Sequence, residues 1–151
     1  MEKYAILLGY FEKQLVFIEK IHKEVLTIDI GVYDKQFVFA MRVQQLYTAI
    51  EDLFKQIAKS FENHIENMSN FHKEILSRMH IEVPKIRPAV ISSSSLLLLD
   101  KVRAFRHFVR HAYDCDFNIV ELSTLQHKLQ SDFAYVLKDL KGFCNFVKKL
   151  S

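Results

Sequence analysis

Tryptophan is absent from this sequence, and glycine and proline are scarce, at three and two of 151 residues. A turn-rich β architecture needs such residues at its bends, so their scarcity points to long helices. The only cysteines, Cys115 and Cys144, have no CxxC-type spacing and no matching histidine pattern. A zinc site is therefore disfavoured, and reduced thiols in a cytoplasmic protein are expected. No wholly apolar run approaches the ~20 residues of a membrane-spanning helix. Met1–Gly9 lacks the basic start and small-residue cleavage site of a signal peptide. Charge of one sign is also in short supply. The formal excess is only +3, so where the cations cluster matters more than their total.

What is abundant is apolar: half of the residues are hydrophobic, and thirteen are phenylalanine. The length suits one domain over residues 1–151, with a sizeable core. Lys3–Leu26 reads as a helix, because Tyr4, Leu7, Leu8, Phe11, Leu15, Ile18, Ile21 and Val25 keep the three-four spacing of one buried face. β-Branched residues around Gly31 interrupt the pattern. A longer helix follows from about Asp34 to His64, with Phe39, Val43, Leu46, Ile50, Leu53, Ile57 and Phe61 as its seam. Arg42, Gln45, Glu51, Lys55, Lys59 and Glu62 are expected on its solvated face. Phe71, Ile75, Leu76 and Met79 suggest a short third helix, and Pro84 and Pro88 enforce a loop across His80–Ile91. The serine run Ser92–Ser95 is expected to cap a helix reaching about Asp114. After a turn at Cys115–Asn118, capped by Asp116 or Asn118, Ile119–Lys149 reads as the last helix, weakened near Gly142. The expected fold is an all-α antiparallel bundle of four long helices and one short one.

Cations concentrate in Lys101–Tyr113, KVRAFRHFVRHAY, where apolar residues are interleaved with them. On a helical wheel with Arg106 at zero, Leu98, Val102, Phe105, Val109 and Ala112 fall between about −40° and −120°, a core-facing stripe. Arg103, His107 and Arg110 lie in an arc at about 40° to 100°. Leu97, Ala104 and Phe108 form a second apolar stripe, which calls for a second partner such as another subunit. Arg106 keeps its charge and can fork two N–H donors onto phosphoryl oxygens, while His111 is suited to general acid–base work. Arg103, Arg110 and Lys101 could hold flanking phosphates of RNA, with His107 beside them. No acidic cluster with metal-ligand spacing accompanies these residues, so a two-metal nuclease is disfavoured and no cofactor is expected. Residues five apart diverge by about 140° on a regular helix. Either the helix breaks near His111, or a homodimer places one chain's Arg106 opposite the other's His111.

Arg106, His111 and Tyr113 spell R-x4-H-x-Y. This arrangement, preceded by FHKEILSRM and IEVPKIRPAVIS, resembles the HepT-like ribonuclease toxins of the HEPN superfamily. The resemblance covers at least Phe71–Asp116. It implies a metal-independent endoribonuclease with Arg106 and His111 as catalytic residues, a dimeric cleft, and tRNA or mRNA as substrate. It also implies neutralisation by a nucleotidyltransferase antitoxin that attaches AMP to Tyr113, which the wheel puts near −20°, beside Arg106. The rival expectation is a non-catalytic helical module that docks onto a nucleotidyltransferase.

Overall fold

The computed structural model describes the backbone of residues 2–62, 68–112 and 116–151, with side chains for all of these except 68–73. Among the described residues there are five helices: α1 (Glu2–Thr27), α2 (Tyr33–Phe61), α3 (Met68–His80), α4 (Ser93–His111) and α5 (Ile119–Leu150). The fold is all-α. α1 packs against α2 and α5, and α4 against α5 and α2, so the long helices close a ring in the order α1, α2, α4, α5. Contacting pairs give the directions. His22 meets Leu129 and Phe133, whereas Phe11 meets Phe143. α1 and α5 are thus antiparallel. α3 lies against α2 and α4.

The three-four spacing accounts for the core. All seven seam residues of α2, from Phe39 to Phe61, are buried, as are six of the eight named for α1. Tyr4 and Leu8 pack at its margin. Two aromatic clusters form within the bundle. Tyr4, Phe61, Phe143 and Phe146 cluster at one end, with ring centroids 5.1–6.0 Å apart. Tyr33, Phe37, Phe39, Phe105, Phe108 and Phe117 cluster at the other, at 5.2–6.4 Å. Each fully buried phenylalanine contributes roughly 2–3 kcal/mol of hydrophobic stabilisation.

Several expectations need correction. Glu51 is only 2% exposed, not solvated. α2 is covered on a second side by α3 and α4, and the Lys55 ammonium lies 3.6 Å from the Glu51 carboxylate. Glu62 is likewise engaged: its carboxylate accepts from Arg87, whose side chain is wholly buried. Arg87 also donates to the carbonyls of Ile81, Pro88 and Arg78, which pins the loop before α4. α2 ends at Phe61 rather than His64, and α4 at His111 rather than Asp114. α5 runs unbroken through Gly142. His64, Asp114 and Cys115 lie outside the described residues, as does the Phe71 side chain.

Candidate active site

α4 is anchored at its start and emerges at its end. Ser92 is the N-cap, its hydroxyl accepting from the Ser95 N–H. Asp139 of α5 reaches across to accept from the Ser92 N–H at 2.8 Å, the Ser92 hydroxyl at 2.7 Å and the Ser95 hydroxyl. A carboxylate at a helix N-terminus also meets the positive end of the helix dipole. Ser95, Leu98, Leu99 and Val102 are buried, but nothing in α4 beyond Val102 is. Phe105 and Val109 are half-buried, so the core-facing stripe persists and grows shallower toward the end. The second stripe is uncovered within this chain: Leu97 is 68% and Phe108 44% exposed.

This tapering burial leaves the cations at the surface. Arg110, His107 and His111 are exposed and Arg103 is half-buried. The Arg103 guanidinium donates to Asp100 through Nε at 3.0 Å and Nη2 at 2.7 Å, which neutralises part of the arc. Arg106 is half-buried, its guanidinium 5.9 Å from the centre of the Tyr47 ring, a cation–π contact worth about 0.5–2 kcal/mol. Tyr47 itself is fully buried, and its hydroxyl has no hydrogen-bond partner among the described residues. Burial, then the charge of Glu51, push its phenol well above the ordinary tyrosine range against the opposing pull of Arg103 and Arg106. Tyr47 is therefore a neutral aromatic plate beneath a charged guanidinium.

His107 and His111, one turn apart, bring their rings to 4.5 Å between centroids. The helix stops on His111: Ala112 has φ −96° and ψ 87°. Among the described contacts none joins Arg106 to His111; one rests on Tyr47 and the other on His107. Lys101 sits apart from both, in a cleft shared with Lys128 of α5. Tyr113 lies outside the described residues. Its expected wheel position presumed a regular helix through residue 113, whereas α4 ends at His111.

A family model described as HepT-like protein matches residues 38–147, from the first turns of α2 almost to the end of α5. The chain belongs to the HepT-like family. No curated protein and no solved structure matches it. The HepT-like match takes in Tyr47 and the whole of α4, so the plate and the basic helix fall within one family unit. Among the described residues, no group of three or more His, Cys, Asp or Glu is placed to hold a metal ion. No helix among them is long and apolar enough to cross a membrane.

Two residues of the site were not singled out by sequence reasoning. Tyr47 carried a signal, since it follows Val43 by four and sits one residue past the Leu46 seam position. A tyrosine there faces the next helix of the bundle. Asp100 stands three residues before Arg103, the spacing of a helical ion pair.

Proposed function

We propose that this HepT-like chain is a metal-independent endoribonuclease, the toxin of a two-component system, acting on tRNA or mRNA in the cytoplasm. The observation that carries the reading is the exposed end of α4, where Arg106 and His111 of the R-x4-H-x-Y pattern stand within the family match. In this reaction the 2′-OH proton passes to an imidazole as the 2′ oxygen attacks the adjacent phosphorus. The bond from phosphorus to the 5′ oxygen breaks, that oxygen takes up a proton, and a 2′,3′-cyclic phosphate remains. Arg106 forks onto the non-bridging oxygens as negative charge develops there. Its seat on Tyr47 holds the guanidinium in one orientation before substrate arrives.

The separate settings of Arg106 and His111 within one chain favour a composite site. In this proposal two copies pack through the exposed stripe of Leu97, Ala104 and Phe108 and bring one copy's arginine to the other's histidine. Control falls to Tyr113: its hydroxyl attacks the α-phosphorus of ATP on a nucleotidyltransferase antitoxin, and pyrophosphate leaves. The attached AMP brings a phosphate to the basic end of α4, where it competes with RNA for the cations there.

The deciding assay is purified protein on total RNA in EDTA. Wild type should cut and leave cyclic phosphate ends. Arg106→Ala and His111→Ala should each lose about 10²–10⁴-fold in rate while keeping the helical circular dichroism of the parent. Cleavage that vanishes on chelation and returns with Mg²⁺ would falsify the mechanism. RNA or nucleotidyltransferase binding without any cleavage would instead identify a non-catalytic docking module.

A further inference from the structure

Lys101 lies about 140° around α4 from Arg106 and about 7.5 Å nearer the N-terminus, beyond the exposed apolar stripe. There α4 and α5 flank an open cleft of about 180 Å³, lined by Lys101 and Lys128 together with Ser94, Leu97, Asp132 and Tyr135. We propose that this cleft is a second, non-catalytic subsite that grips a backbone phosphodiester of the RNA. The identity of the phosphate's bearer rests on the ribonuclease reading, but the cleft's preference for a phosphodiester anion does not.

Two cations from different helices converge on one small space. Other described lysines with ionic partners reach carboxylates, Lys55 toward Glu51 and Asp52, and Lys141 toward Glu19. Lys101 instead lines one cleft with Lys128, with Asp132 as the carboxylate beside them. The Lys128 amine and its charge pull the Lys101 amine below the ordinary lysine value, with Asp132 opposing them. An oxyanion between the two ammonium groups would convert that repulsion into two charge-assisted hydrogen bonds. The volume suits such a ligand, since a water takes roughly 30 Å³ and a phosphate group with a few waters would fill the rest. Ser94 and Tyr135 add hydroxyl donors at its wall. Charge sets the ligand class. Two lysines and Asp132 leave a net +1, which matches the single charge of a phosphodiester better than a doubly charged terminal phosphate.

Position makes the inference specific. Arg103 and Arg110 lie on one flank of the exposed stripe and the lysine pair on the other. In the proposed dimer that stripe is covered, so RNA held at both flanks must pass around the second copy, which a long or folded strand can do and a hexamer cannot.

The test uses the His111→Ala chain, to keep the RNA intact, and measures anisotropy with a hairpin of about thirty nucleotides and an oligomer of about six. Adding Lys128→Gln should weaken hairpin binding about fivefold and lower its log–log salt slope by about 0.7–0.9. Hexamer binding should not change, and Lys128→Arg should restore the hairpin. A hairpin slope unaltered by Lys128→Gln but lowered by Arg110→Gln would overturn the subsite and leave the RNA reading standing. Equal loss with both RNAs would overturn it too, as the mark of general charge attraction. If neither RNA binds, the RNA reading fails, and dimethyl phosphate titrated by NMR decides on the cleft alone. Shifts at Lys101 and Lys128 support the subsite; unchanged resonances at both reject it.

Discussion

Tyr47 shows how a buried side chain can bear on a surface arginine through its face alone. The ring lies under Arg106, while the hydroxyl has no described partner. Tyr47→Phe should therefore keep wild-type cleavage and, with an unpaired buried hydroxyl removed, gain about 1 kcal/mol in urea denaturation. Tyr47→Leu takes away the plate. It should lower kcat about tenfold with KM little changed, and a matching loss in Tyr47→Phe would show that the hydroxyl matters after all. His22 acts at the same scale on stability. It bonds the Leu129 carbonyl at 2.8 Å and stacks on Phe133. Burial pulls its pKa below the ordinary 6.5, against the opposing effects of that carbonyl and Glu19. Between the lowered folded value and 6.5 the unfolded chain binds the proton and the folded one does not, so stability rises with pH there. His22 thus weakens the fold as pH drops below 6.5. The fall in Tm from pH 7.5 to 5.5 should be smaller in His22→Gln than in wild type, and an identical fall in both would exclude His22 as the cause.

Among the elements, α4 depends on a neighbour for its starting point. Asp139 of α5 accepts three hydrogen bonds at the helix entrance, so Asp139→Ala strands the Ser92 N–H and two hydroxyls. A cost of about 2–3 kcal/mol in urea denaturation is expected, and a change below 0.5 kcal/mol would mean water replaces the carboxylate fully. The serine cap and the Asn118 cap of α5 were legible from local sequence, because a cap is a contact with the chain's own next turn. Asp139 was not legible, as its partners lie more than forty residues away. Glu51 was misread for a related reason. Helical periodicity assigns one inward face, but α2 touches three other helices and buries more of its circumference. The end of α4 was legible only as an alternative, since nothing in R-x4-H fixes the backbone at Ala112.

For the whole molecule, the all-α bundle followed from seam spacing, and the paucity of Gly and Pro left little else to build. The candidate site was legible as a list of residues but not as an arrangement. Periodicity places Arg106 on α4 and turns Tyr47 of α2 toward a neighbouring helix, but it does not pair the two. Assembly remains a matter for the uncovered stripe. Ala104 lies in its middle and is exposed, so Ala104→Asp should leave a folded monomer by light scattering and abolish cleavage with it. A dimer that persists in Ala104→Asp would rule out this stripe as the contact.

The shallowing burial of α4 also bears on which substitutions the chain tolerates. The fully buried residues of α4 all lie at or before Val102; beyond it Phe105 still packs on the core margin, whereas His107 and Arg110 are exposed. In the proposed ribonuclease, folding and substrate choice therefore rest largely on different residues of one helix. Substitution at the exposed cations should alter which RNA is recognised without endangering the bundle. For the same reason a saturation library confined to Arg103, His107 and Arg110 should yield mostly folded variants with dispersed specificities, a practical starting point for redirecting the chain.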